Sequence, residues 1–193
     1  MAQAKSMDAK LASTILYLLR HCTPERPGLT SLLKMLYYAD HDHYRKHLCS
    51  ITGGRYVAME RGPVLDGYKA TFAAFEKLGV LKKREVAVPG RTEKKWEYAA
   101  CMEPDETLFS DSELSVLDAV IKRHGNASGV ELSMRTHLEG PWVFTWNPRH
   151  PGQPIPYTLF RWLDNTPDDA DLALARKRLA RASIATLVKT LAA

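Results

Sequence analysis

The run Asp40-His41-Asp42-His43-Tyr44-Arg45-Lys46-His47 gathers the residue types that most often bind metal. His43 and His47 stand four apart, so a helix carrying them puts both imidazoles on one face, where they could ligate zinc. A zinc protease places glutamate directly after its first histidine. Here Tyr44 stands there, and Arg45 and Lys46 bring positive charge beside a dication. A hydrogen-bonded helix surface is the favoured reading, and no metal or cofactor is expected. Ser128, in Gly125-Asn-Ala-Ser-Gly129, misses the G-x-S-x-G nucleophile elbow by one place and reads as a helix cap. The chain has neither glycine motif that cradles phosphate. His21 and His137 lack an organised partner nearby and are read as structural. No catalytic constellation emerges, so the chain is not read as an enzyme.

The elements that must position these residues are mostly helical. Leu11, Ile15, Leu18, Leu19 and Cys22 recur at helical spacing and predict a helix from about Asp8 to Cys22, stopped by Pro24. A second begins near Thr30. Its stripe of Leu29, Leu32, Leu33, Leu36 and Tyr37 continues into Asp40, His43, Tyr44 and His47, so polar groups replace leucine on the core-facing side. Gly53-Gly54 turns into a short strand over 55–60. Arg61-Gly-Pro-Val64 reads as a turn with Pro63 opening a third helix, whose buried face is Leu65, Tyr68, Phe72 and Phe75. A hairpin follows, Leu81 to Val88 and Glu93 to Ala99 around a Pro89-Gly90-Arg91-Thr92 turn. Ser110-Asp-Ser-Glu113 and Ser128-Gly-Val-Glu131 are capping boxes that start two more helices. The proline-rich stretch Pro141 to Pro156, with Trp142, Phe144 and Trp146, is expected to be irregular, and a last helix is expected from Asp168 to about Lys189. The fold class is α+β and mostly helical, with a short strand, one β-hairpin in a winged-helix-like arrangement, and a C-terminal helix.

At 193 residues and 45% hydrophobic, the chain suits one domain, read as 1–142 with 143–193 packed on or extending it. Its most apolar stretch, Leu11 to Leu19, is far short of a membrane span, and the N-terminus lacks a secretory pattern, so a cytoplasmic product is expected. Cys22, Cys49 and Cys101 form no disulfide framework and are read as packing residues. The net charge of +5 is unevenly spread. Lys82 to Lys95 holds six bases and two acids, whereas Glu103 to Asp118 holds six acids and no base. The basic hairpin supports an alternative function, binding nucleic acid through phosphate contacts. Lysines that guard a hairpin edge against aggregation explain it more simply.

One ordered set of motifs is more specific than any of these features. Leu36-Tyr-Tyr-Ala-Asp-His-Asp-His43, Ile51-Thr-Gly-Gly-Arg-Tyr-Val-Ala-Met59 and Arg61-Gly-Pro-Val64 come first. Phe109-Ser-Asp-Ser-Glu113, Glu131-Leu-Ser-Met-Arg-Thr-His137 and Gly140-Pro-Trp142 follow. Together they resemble the SocA-like antitoxin family, also called the Panacea domain, over about two thirds of the chain, from Leu11 to Trp142. Leu48-Cys49-Ser50 departs from the family's glycine-containing turn, and no family motif follows Trp142.

The resemblance implies a small helical antitoxin, encoded beside a toxic protein and binding it, with different members neutralising unrelated toxins. One type of member is implied to deliver its toxin to the ClpXP protease. Binding of that kind needs an interface of roughly 1,200–2,000 Å² with a few aromatic or arginine anchors. Tyr37, Tyr56, Arg61, Tyr68 and Trp142 are the anchor candidates, with core packing as the competing role of the tyrosines. Gly62 and Pro63 would act indirectly, by setting the turn. The terminal Leu191-Ala192-Ala193 resembles the end of the tag that ClpX recognises and could serve as a degradation signal.

Overall fold

The computed structural model describes residues 2–22, 27–87, 94–162 and Lys177. Helix α1 (Ala2–His21) leads to α2 (Leu29–His47), and every residue of α2 from Ser31 to His43 is buried. That enclosure explains the polar switch seen in the sequence: α2 runs through the middle of the molecule and has no solvent face over that length. Helix α1 begins at Ala2 rather than near Asp8, since the alanines and lysine before Asp8 favour helix.

After α2 the chain forms β1 (Tyr56–Met59) and β2 (Gly62–Leu65), paired antiparallel with Met59 opposite Gly62. The expectation that Pro63 opens a helix is corrected here. Gly62, at φ +92°, closes a tight reversal, and Pro63 lies in an outer strand, where its missing N–H leaves no sheet bond unmade. Helix α3 (Tyr68–Lys77) starts later and buries Phe72 and Phe75 as expected.

Strands β3 (Leu81–Ala87) and β4 (Lys94–Ala100) make the second hairpin, in register from Leu81 opposite Ala100 to Ala87 opposite Lys94. The turn expected at 89–92 lies outside the described residues. A 3-10 turn at Glu106–Leu108 precedes α4 (Asp111–His124) and α5 (Gly129–Thr136). Both helices carry complete capping boxes, Ser110 with Glu113 and Ser128 with Glu131.

The segment expected to be irregular contains α6 (Gly140–Thr145), with Pro141 in its first turn, where a missing N–H is harmless. It also contains β5 (Gln153–Ile155), which pairs antiparallel with β1 and gives a three-stranded sheet in the order β2-β1-β5. Helix α7 (Leu159–Trp162) returns to α2, and Phe160 is fully buried in the core. Helices α1, α4, α5 and α7, with strand β2, all pack on α2. The result is α+β and mostly helical. The terminal helix expected at 168–189 and the Leu191-Ala192-Ala193 signal lie outside the described residues, of which Lys177 alone represents that region.

Candidate functional site

Helix α2 puts two buried polar groups, Lys34 and Asp40, against the β1–β2 hairpin. Asp40 accepts hydrogen bonds from the Thr52 backbone N–H (2.8 Å), the Thr52 hydroxyl (2.5 Å) and the Tyr56 hydroxyl (2.7 Å). Burial pushes its carboxyl up, and the bonds from Thr52 and Tyr56 oppose that shift. Gly54 is needed beside this cluster, since a Cβ there would fall 2.7 Å from Leu65 Cδ1 and 3.0 Å from Thr52 Oγ1. Tyr157 closes the outer side by donating to the Gly54 carbonyl.

Lys34 is fully buried, and its Nζ donates to the Pro63 carbonyl at 2.6 Å. Burial lowers its ammonium to about 7, against an upward pull from the charge of Glu139. Glu139, just before α6, is buried in turn, and burial raises its carboxyl despite His41 and the Tyr38 and Tyr37 hydroxyls around it. Its Oε2 and the Tyr37 hydroxyl, though close enough to influence each other, close no hydrogen bond of good geometry. Farther along, His41 Nδ1 meets Asp42 Oδ1 at 2.9 Å, and Arg123 donates to Asp42 Oδ2 at 2.9 Å. Burial pushes the Asp42 carboxyl up, but His41 and Arg123 together hold it below the usual carboxylate range.

The third support comes from α5 and α6. A Cβ on Gly62 would fall 2.4 Å from Thr136 Oγ1 and 2.8 Å from Lys34 Nζ, so only glycine lets the three elements meet. His137 stacks on Trp142 at 4.2 Å between centroids. Trp142 stacks on Trp146 at 5.5 Å and donates from Nε1 to the Met59 carbonyl at 3.0 Å. Residues quoted from four separate sequence motifs thus grip one hairpin from three sides.

The anchor candidates separate accordingly. Tyr37 and Tyr56 are fully buried, with rings 5.4 Å apart edge to face, and serve the core. Tyr68 is half-buried at the start of α3. Trp142 is 9% exposed, Gly62 and Pro63 are buried, and Arg61 alone is exposed, at the hairpin tip. Around that tip lies surface that sequence reasoning did not single out. Val143 and Phe144 on α6 are 56% and 74% exposed, and a cleft of about 490 Å³ opens beside Phe144, lined by Thr145, Trp146, Asn147, Pro148, His150 and Gln153.

His43 and His47 do lie together, with ring centroids 4.5 Å apart. Both nitrogens of His43 are engaged, Nδ1 with the Cys49 carbonyl at 2.7 Å and Nε2 with the Ser112 hydroxyl at 3.2 Å. Among the described residues no three of His, Cys, Asp and Glu gather as a metal site would require. Of the cysteines, Cys22 is buried, but Cys49 and Cys101 are exposed, so packing is not the role of all three. On the basic hairpin, Arg84 (2.8 Å) and Lys95 (2.8 Å) both pair with Glu97, and Lys83 lies 3.7 Å over the Trp96 ring. Two of its cations therefore share one carboxylate within the hairpin, and a third lies over a ring.

With this geometry in view, residues 32–143 match the family model described as antitoxin SocA-like, Panacea domain. The match spans more than half of the chain, and the chain belongs to that family. No curated protein and no solved structure matches it.

Proposed function

We propose that this protein neutralises a cognate toxin by binding it directly, as a non-enzymatic antitoxin of a bacterial or phage toxin–antitoxin pair. Membership of an antitoxin family carries the reading, since it implies a toxin partner. The geometry supports it in one respect. The residues that carry the family resemblance are occupied in holding the β1–β2 hairpin and α6 in place, which suits a protein that works by presenting a surface. Action in the cytoplasm and delivery of the toxin to ClpXP belong to the same proposal. No described helix is long and apolar enough to cross a membrane. The nucleic-acid alternative loses ground to the ion pairs and the ring contact within the basic hairpin.

Co-expression with the product of the neighbouring open reading frame tests the reading. Growth rescue with a co-purifying complex is the expected result. Rescue in which the toxin disappears unless ClpX is removed would establish delivery for proteolysis. A neighbouring product that is toxic, yet neither bound nor relieved, would overturn the antitoxin reading.

A further inference from the structure

Exposed apolar side chains are normal when they stand singly, and Leu48, Leu78, Met102 and Val130 have no exposed large apolar residue next to them in sequence. Trp96, 40% exposed, carries the Lys83 ammonium over its ring. At α6 the situation differs, because two consecutive residues, Val143 and Phe144, are both exposed, and Trp142 just before them is bonded to the backbone of Met59, itself 39% exposed. The Trp142 bond to the Met59 carbonyl and the Gly152 N–H bond to the Ala58 carbonyl (2.8 Å) join α6, the hairpin and the approach to β5 into one face.

Two further properties mark this face. It is preorganised, since Trp142 is held between His137 and Trp146 and cannot swing when a partner arrives. Its charge also leans to one sign: residues 140–162 include Arg149 and Arg161, both exposed, and no acid. The hairpin tip adds exposed Arg61 together with one acid, Glu60. Aromatic and arginine side chains around a cleft, with carboxylates scarce, is the composition that binding hot spots favour.

Resting on the antitoxin reading, we propose that this α6–β5 face is where the toxin docks, through a segment that lays an apolar side chain over Phe144, turns polar groups into the cleft beside it and sets carboxylates against Arg149 and Arg61. The excess of cations selects an acidic segment, and opposite charge would speed the encounter in a salt-dependent way.

The test uses the full chain and the neighbouring open reading frame's product, with affinity read by calorimetry and rescue by growth. Phe144→Ala should weaken binding about 30-fold and impair rescue while leaving the thermal midpoint in place. Arg149→Glu should slow association severalfold and flatten its dependence on salt. Lys82→Glu, on the basic hairpin, serves as the control and should bind as the unmodified chain does. If the unmodified chain rescues growth but Phe144→Ala and Arg149→Glu bind equally well, the docking face is wrong and the antitoxin reading stands. If the unmodified chain itself neither binds nor rescues, the antitoxin reading fails first. A free protein that is dimeric, and that Phe144→Ala renders monomeric without altering toxin binding, would assign the face to a second copy of this chain and overturn the proposal.

Discussion

Helices α2 and α6 reverse the usual distribution of side chains in opposite senses. Helix α2 buries Lys34, Asp40, His41, Asp42 and His43, whereas α6 leaves Val143 and Phe144 in solvent. Inside, Asp40, Lys34 and Asp42 take partners from beyond their own helix, at Thr52, Tyr56, Pro63 and Arg123. A buried polar group of that kind admits one arrangement of its neighbours, because any other leaves it unpaired at a cost of about 1–3 kcal/mol. Outside, nothing within the described fold uses the apolar surface. The contrast separates two jobs, since α2 fixes where the hairpin stands and α6 supplies surface beside it. Substitutions within α2 and its contacts should therefore cost stability, and those on the outer face of α6 should not.

The largest effect is expected at Asp40. Asp40→Ala strands the Thr52 N–H and the Thr52 hydroxyl in the interior, leaves the Tyr56 hydroxyl only the Leu36 carbonyl, and should cost about 3–5 kcal/mol in chemical denaturation. A loss below about 1 kcal/mol would mean that the loop at 51–54 is not held by this carboxylate. Next comes Gly62, where alanine meets both a positive φ and a contact of 2.4 Å with Thr136 Oγ1. Gly62→Ala should cost about 2–3 kcal/mol. Adding Thr136→Ala removes the clash but not the backbone strain, so the double variant should recover part of the loss. Full additivity of the two losses would show that the three elements do not meet as described.

How much of this was legible in the sequence depends on the range of the interaction that fixes it. The capping boxes, the two strands of the β3–β4 hairpin and the burial of Phe72 and Phe75 on α3 follow from local patterns and appear where expected, whereas Leu65 belongs to β2 and Tyr68 is half-buried. Pro63 misled because proline is acceptable both in the first turn of a helix and in an outer strand, and the pairing that decides between them is made by β1. Strand β5 was hidden for a related reason: three residues with a proline at their centre carry no strand signal, and a partner about a hundred positions earlier defines them. At the site, the switch from leucine to Asp40 and His43 on α2 reads as a hydrogen-bonded helix surface, and the structure corrects this, because the packing of other elements around α2 buries Asp40 to His43. Lys34 and Glu139 went unnoticed, because a stripe analysis assumes a helix with a solvent face and α2 has none along that stretch. Tyr37 and Tyr56 fit an interface composition, but their burial comes from neighbours that the sequence does not place beside them.

The interior also responds to acid, with a smaller effect. His124 stacks on Tyr38 at 4.2 Å, neither of its nitrogens is hydrogen-bonded, and burial lowers its pKa to about 4, with the charges of Arg123 and Arg135 adding to the shift. The unfolded chain, near 6.5 at this group, binds the proton more readily than the folded one between those values. The stability it confers is complete above about pH 6.5 and is lost as pH falls toward 4, amounting to about 2 kcal/mol by pH 5. His137, shifted down by burial, acts in the same sense. Paired carboxylates such as Asp42 and Glu113 lose their contributions at lower pH, while Lys34 acts in the same sense as the histidines and the raised carboxyls of Asp40 and Glu139 in the opposite sense, so across the window from 5 to 6.5 the difference between the unmodified chain and a His124 variant reads His124. His124→Phe should keep the stack and flatten denaturation midpoints across that window. An unchanged slope would show that His124 is already protonated in the folded protein.

The smallest effect on stability, and the one that bears most directly on the contrast, belongs to α6. Phe144 is 74% exposed and Val143 56%, so replacing both with serine removes little apolar area that folding had withdrawn from water. The double variant should lie within about 0.5 kcal/mol of the unmodified chain, the range usual for surface changes. Serine lowers the helix propensity of α6 only slightly, and the short helix is held mainly by Pro141 and Trp142, both buried. A loss of 2 kcal/mol or more would mean that these side chains pack against something in the free protein, and the division between an inner frame and an outer surface would fail. An unchanged midpoint in a variant that no longer binds toxin would instead show a surface maintained against its own tendency to avoid water. Folding gives no account of such a surface, whereas a partner that covers it does.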